Sequence, residues 1–255
     1  MLALITGASS GIGRDISKVL ASKKYDVILV ARSKERLNDT KKEIEDKYKV
    51  SAYVYVCDLT DRSKVFNLHD DIIKRFKKID ILVNDAGFGL FGEFTKTDIN
   101  KELDMIDTNI TALHILTKLF LEDMVKENSG HILNVASIAG FMPGPLMSTY
   151  YATKSYVVRL SESIRHELIM KGSRVKISLL CPGPVATNFN KTANVRFNLI
   201  EEDSMILAKY TVDKMEHGVF YIYSNLFIFI SIVFAKLLPS EVMASITYFM
   251  QRKKK

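Results

Sequence analysis

The sequence predicts an α/β protein built on a doubly wound parallel sheet. Three observations predict it. Short apolar runs alternate along the chain with longer amphipathic ones, the apolar runs are continuous, and the first leads straight into a glycine-rich turn. Continuous apolar strands separated by helices imply a parallel sheet covered on both faces. Right-handed crossovers between those strands then give the doubly wound arrangement.

The elements follow in order. Strands are expected at 2–6 (LALIT), 26–31 (DVILVA), 51–56 (SAYVYV), 80–84 (DILVN), 131–136 (HILNVA) and 176–181 (KISLLC). Segments such as GRDISKVLASKK and SKERLNDTKKEIEDKY carry the helical period between them. The run GVFYIY at 218–223 is the candidate for a last sheet strand. No repeat, low-complexity tract or Pro/Gly linker divides residues 1–190, which read as one domain.

Composition narrows the function classes. Of 255 residues, 47% are hydrophobic and 25% charged, as in a folded globular chain. The formal net charge is +7, and the terminal QRKKK carries four of those charges. The remainder is too small and scattered for a nucleic-acid surface. Cys57 and Cys181 each close an apolar run and are expected as buried thiols in a reducing cytosol. Neither has a Cys or His at metal-ligand spacing, so no metal site is expected. MLALITG begins without a basic flank or cleavage site and does not read as a signal peptide.

The first strand runs into Thr6-Gly7-Ala-Ser-Ser-Gly11-Ile-Gly13 and then a helix. Glycines at these places allow a tight turn and let backbone approach a pyrophosphate, while the helix N-terminus offers free N–H groups to the anion. The second strand ends in Ala31 and Arg32, where a carboxylate would accept the ribose hydroxyls of NAD. A guanidinium there suits the 2′-phosphate of NADP(H) instead. The competing reading leaves Arg32 a solvated charge at the start of a basic helix.

The stretch STYYATKSYV (148–157) sets Tyr150 and Lys154 four apart, on one helix face. A phenol beside an ammonium is a candidate acid whose pKa is drawn toward neutrality. Tyr151 has Ser155 at that offset and reads as packing.

These motifs together resemble the short-chain dehydrogenase/reductase family over roughly residues 1–200. They comprise Thr6-Gly7-x-x-x-Gly11-x-Gly13, Asp58 after the third strand, Asn84-Asp85-Ala86-Gly87 after the fourth, Asn109 in a helix, Ser137 after the fifth, Tyr150 with Lys154, and PGPVAT (182–187) after the sixth. The resemblance implies a Rossmann fold and four catalytic residues. Tyr150 would be the acid/base, and Lys154 would lower its pKa and hold the nicotinamide ribose. Ser137 would polarise the carbonyl, and Asn109 would place a water relaying protons to the lysine. It also implies an NADP(H) site of Gly7, Ser9, Ser10, Gly11, Ile12, Gly13, Arg32, Asp58, Leu59, Asn84, Ala86, Gly87, Pro182, Gly183, Val185 and Thr187, with Tyr150 and Lys154. Asp58 and Leu59 would meet the adenine, and Val185 and Thr187 the carboxamide. Three positions depart from or qualify the pattern. Asp85 replaces the family's usual second asparagine, Ser10 stands where many NADP-dependent members carry a basic residue, and Arg14 is a weaker substitute.

Further expectations concern the substrate side and the tail. Phe141, Met142 and Met147 either wall an apolar substrate pocket or simply pack. His114, His131 and His166 read as structural, and Asn188 to Ile200 are expected to close over substrate. Val219 to Ala235 hold no charge, and RKKK ends the chain. This tail (224–255) is distinguished from a catalytic unit at 1–223. Three placements stay open for it: helices at a membrane surface or lipid entrance, a spanning anchor, or an interface or core. The chain is therefore expected to be a cytoplasmic or membrane-associated NADP(H)-dependent enzyme interconverting a ketone or aldehyde and an alcohol. By resemblance it would be a homo-oligomer paired through the helices of Asn109 and Tyr150. The alternatives are a silent NADP-binding scaffold and, less well matched in length, an epimerase or dehydratase of nucleotide sugars.

Overall fold

The apolar runs pair as seven parallel strands. β1 (Leu2–Thr6), β2 (Asp26–Ala31), β3 (Ala52–Val56), β4 (Ile81–Asn84), β5 (His131–Val135), β6 (Lys176–Cys181) and β7 (Tyr221–Tyr223) lie in the order β3-β2-β1-β4-β5-β6-β7. The computed structural model describes residues 1–187 and 202–252. Register aligns Thr6 with Val30 on one side and with Asn84 on the other, and Asn84 with Asn134. The strand order reverses at β1, so a crevice opens past the C-terminal ends of β1 and β4.

Alternate residues of each strand feed two cores. Leu4, Ile28, Leu82, Ile132 and Leu179 face one layer, packed by α3 (Arg62–Phe76), α5 (Leu113–Lys126) and α6 (Ser148–Met170). Ala3, Ile5, Leu29, Val83 and Leu133 face the other, packed by α1 (Gly11–Ser22), α2 (Lys34–Tyr48) and α7 (Ser204–Glu216). Both faces are covered, which is why these strands show continuous rather than alternating apolar runs. Ahead of α5, α4 (Ile99–Ile106) passes through a π-helical turn at Asp107–Ala112. Such turns displace the regular backbone ladder and are frequent at functional sites.

The last strand is shorter than its apolar run. Gly218 turns the chain at φ +72° after α7, and only Tyr221–Tyr223 pair with Leu179–Cys181. The tail then forms two short helices, α8 (Leu226–Leu237) and α9 (Ser240–Arg252), separated around Pro239. Asn225 caps α8 by accepting from the Ile228 N–H at 2.9 Å. Ile228 and Ile232 of α8 enter the core beside β6 and β7. Full burial of such side chains contributes roughly 1.5–3 kcal/mol each, enough to hold the helix on the body. Among the described residues no helix is long and apolar enough to cross a membrane.

Candidate active site

The crevice begins at the glycine-rich turn. Gly7 sits at φ +73°, a conformation that L side chains rarely adopt. A Cβ on Gly13 would lie 2.9 Å from the Gly7 carbonyl oxygen, so the first helical turn can close on the strand only without one. Ser10 occupies the cap position of α1 without a side-chain cap hydrogen bond, and Ser9, Gly11 and Ile12 are half-buried beside it. A glycine-lined turn ahead of an uncapped helix start is a cradle for an anion. Thr187 packs on Gly11, its Cγ2 3.0 Å from where a Cβ would stand, so the segment after β6 closes the far side. Val185 bridges to Glu202, and the Gly183 N–H donates to Ser224 Oγ at 3.3 Å.

At the end of β2, Arg32 is exposed and makes no ion pair among the described residues. Arg14 is otherwise occupied, its Nε donating to Asp15 Oδ1 at 3.2 Å. Asp58 folds back on its own loop, accepting from the Thr60 N–H and hydroxyl at 3.2 and 3.0 Å, beside the buried Leu59. The loop after β4 is fixed by Thr6 Oγ1, which accepts from the N–H groups of Asp85 and Ala86, both at 3.1 Å.

Asn84, expected to line the cofactor, lies at the crevice end of β4 beside Thr6. Asn84 does not direct its side chain into the crevice. Its amide donates to Thr117 Oγ1 and Asn134 Oδ1 at 3.0 and 2.9 Å, inside the layer of α5 and α6. The cause is strand alternation: Val83 faces the α1 layer, so Asn84 faces the other.

The catalytic candidates converge past β5. Ser137 is buried and opens a short 3₁₀ turn. Its Oγ accepts from the Ala139 N–H at 3.2 Å, approaches the Pro182 carbonyl at 3.5 Å and hydrogen-bonds the Tyr150 hydroxyl. Lys154 is buried, donating from Nζ to the Val135 carbonyl at 2.8 Å, and this ammonium lies 5.9 Å from the Tyr150 ring centre. Asn109, in the π turn, accepts from the Phe88 N–H at 3.1 Å and donates to the Phe88 carbonyl and Thr153 Oγ1 at 2.9 and 3.1 Å. It thereby ties the loop after β4 to the helix of Tyr150. Gly87 lies between them: a Cβ there would stand 2.9 Å from Asn109 Oδ1 and 3.6 Å from Lys154 Nζ.

The electrostatics differ from expectation at Tyr150. In this protein desolvation raises the phenol above its ordinary pKa, and the Ser137 hydrogen bond opposes this only in part. Lys154 is likewise pulled by desolvation, down to about 8. The ammonium thus loses much of its own preference for charge before it can draw the phenol down. A phenol held protonated is nevertheless suited to donating a proton.

Around Tyr150 lies an apolar wall of which the sequence pointed to Met147 alone. Met105, Ala139 and Met147 pack with the ring, and Phe88, Leu90, Phe91 and Tyr151 border them. The run Phe88-Gly-Leu90-Phe91 directly after the fourth-strand motif was the available signal. Of the residues expected at the wall, Met147 joins it, whereas Phe141 packs into the core beside Tyr221 of β7. The segment expected to close over substrate, residues 188–200, lies outside the described residues.

The fold and this convergence define a Rossmann-type oxidoreductase, and comparison makes the family specific. The sequence profile described as short chain dehydrogenase matches residues 1–196, and the chain belongs to the short-chain dehydrogenase/reductase family. It is 37% identical over 187 residues to an uncharacterized oxidoreductase of Staphylococcus epidermidis, covering 73% of this chain and 78% of that one. It is 35% identical over 199 residues to an NADP-dependent 3-hydroxy acid dehydrogenase of Escherichia coli, covering 77% of each. Among solved structures, a short-chain dehydrogenase of Sphingobium yanoikuyae in complex with NADPH superposes with a TM-score of 0.83 at 28% identity, over 88% of both chains. One from Burkholderia phymatum in complex with NAD gives 0.83 at 26%, over 91% of both. The chain is thus an oxidoreductase of alcohol and carbonyl groups that uses a nicotinamide dinucleotide.

Proposed function

We propose that this chain is an NADP(H)-dependent carbonyl reductase, or the reverse alcohol dehydrogenase, acting on an apolar, lipid-like substrate. The observation carrying this reading is the meeting of Ser137, Tyr150 and Lys154 beside the glycine-rich turn. The residues present fit the dinucleotide: only hydrogen-sized side chains leave room at Gly7 and Gly13, and the start of α1 is uncapped. Gly7, Ser9, Ser10, Gly11, Ile12 and Gly13 would hold its pyrophosphate. Asp58 and Leu59 would hold the adenine, Lys154 and the Ala86–Gly87 backbone the nicotinamide ribose, and Pro182, Gly183, Val185 and Thr187 the carboxamide. When bound, the nicotinamide supplies or accepts the hydride.

The side chains manage the proton. Ser137 and Tyr150 donate hydrogen bonds to the substrate oxygen, and these strengthen as charge develops on it. Tyr150 transfers its phenolic proton to that oxygen, and Lys154 stabilises the phenolate left behind. The wall of Phe88, Leu90, Phe91, Met105 and Met147 favours an apolar chain next to the reacting carbon. Exposed Arg32 at the end of β2 supports NADP over NAD. Two buried free thiols suit a reducing cytosol, and the exposed Val125 on α5 and Ile169 and Met170 on α6 suit pairing of two copies through the helices of Asn109 and Tyr150.

The tail completes this reading as a membrane-surface contact. Leu226, Phe227, Ile230, Phe234 and Leu237 of α8 are 54–77% exposed. The charge that follows is mostly positive, through Arg252 and the terminal lysines. An apolar helix with a basic end suits an anionic bilayer surface.

The test is NADPH oxidation by the full chain across ketones and aldehydes of increasing chain length. Wild type should reduce apolar carbonyls, while Tyr150→Phe should lose about a hundredfold or more in kcat yet still quench with NADPH. Consumption no faster than in the Phe variant, for every compound, would establish the silent scaffold instead.

A further inference from the structure

Asp85 is the residue that departs from the family's usual asparagine, and it sits where a carboxylate has consequences. Its backbone is pinned to Thr6 Oγ1 at the end of β1. Its side chain turns under the glycine-rich turn, so that a Cβ on Gly13 would lie 2.6 Å from Asp85 Oδ2, and one on Gly7 2.9 Å. The carboxyl therefore occupies the space those two glycines leave, and the Gly13 N–H donates to it. Two residues along the same segment, Gly87 borders Lys154 Nζ.

Among the described residues, the charged and titratable groups around Asp85 are few. Lys154 and Tyr150 face it from α6, and Asp15 faces it from α1, itself held by Arg14 and Ser204. Cys181 of β6 acts on Lys154, but burial keeps that thiol protonated. Among these groups, Asp85 exerts the largest attraction on the desolvated ammonium. Asp85 is itself raised to about 7, by desolvation against the pull of Lys154. A buried lysine without such a partner falls several pH units.

We propose that Asp85 is a positioning residue whose carboxylate keeps Lys154 charged through neutral pH and so sets the alkaline limit of turnover. This rests on the reading of Tyr150 and Lys154 as the working pair. The sign is the same at both groups, because a carboxylate raises the pKa of the ammonium and of the phenol. Its removal lowers both, and the alkaline limb moves toward neutrality.

The experiment compares the full chain with Asp85→Asn, which keeps the shape and removes the charge. Two quantities are measured: kcat against pH with a ketone that wild type reduces, and the titration of Lys154 by NMR in protein labelled at lysine Cε. The Lys154 signal is assigned with Lys154→Arg. In the variant the Lys154 midpoint and the alkaline limb should both fall by about 1 pH unit or more. The two kcat profiles should converge below about pH 6, where Asp85 is itself largely protonated. A uniform loss of kcat at all pH, or an unmoved Lys154 midpoint, overturns the proposal and leaves Asp85 a packing residue. If no ketone is reduced, the functional reading fails while the NMR titration still decides this one. Should the Asn variant not fold, Asp85→Ser removes the same charge with less bulk.

Discussion

Gln251, in the last helix, donates its side-chain amide to the hydroxyl of Tyr151, the neighbour of Tyr150. Thr247, one turn earlier, donates to the Pro143 carbonyl at 2.8 Å, and the Tyr151 ring lies flat where a side chain on Gly144 would be. The tail is thus fastened to the loop and helix that carry the catalytic residues. Tyr151→Phe would strand the Gln251 amide, whose oxygen already has no partner among the described residues. A loss of about 1–2 kcal/mol is expected from the urea midpoint. Gln251→Met removes both amide groups and should cost less; an equal or larger loss would show that the link is not what holds the helix.

Arg32 tests the choice of dinucleotide. It is exposed, unpaired among the described residues and placed at the end of β2. Arg32→Asp should raise the KM for NADPH about tenfold or more, the value of a charged hydrogen bond or two, and leave that for NADH nearly unchanged. Equal responses to the two cofactors would remove Arg32 from the site.

His131 gives a pH dependence with a definite sign. Ser178 Oγ donates to the Val219 carbonyl at 2.7 Å, so at 2.8 Å from His131 Nε2 it must accept the ring N–H. Desolvation, with Lys176 nearby, holds this imidazole down to about 4. The folded state therefore binds fewer protons than the unfolded chain between about 4 and 6.5. Stability should fall as pH drops through that window, by roughly 3 kcal/mol at most. His131→Gln should flatten the decline in thermal midpoint, and a decline as steep as wild type would place its source elsewhere.

The tail makes a separable prediction. Phe227, Ile230 and Phe234 are exposed on α8, whereas Ile228 and Ile232 are buried. Full-length protein should pellet with vesicles containing phosphatidylserine, less so in high salt. The triple substitution Phe227→Ser, Ile230→Ser, Phe234→Ser should abolish pelleting without unfolding the protein. Wild type that stays in the supernatant with such vesicles would exclude the membrane reading and favour a protein interface.

Much of this was legible before folding was considered. A parallel strand buried on both faces must be apolar throughout, so β1 to β6 announce themselves as runs bounded by turn residues. The pair Tyr150 and Lys154 was legible because a helix repeats every three to four residues. The motif position of Asn84 marks the crevice, while the pleat of β4, which only pairing reveals, directs its side chain to Thr117 and Asn134. The apolar wall was faint, since Phe88, Leu90 and Phe91 occupy a loop with no periodicity to mark them.

The sequence by itself determined the order of strands and helices, the glycine turn and the spacing of the proton-handling residues, because each is written in patterns shorter than about one element. Tertiary structure alone decided that Asp85 lies under Gly13, that Gln251 reaches Tyr151 across a hundred positions, and that burial raises rather than lowers the affinity of Tyr150 for its proton. Contacts between distant segments, and the removal of water from around a charge, arise only when the layers close on one another. No local pattern of residue types encodes them.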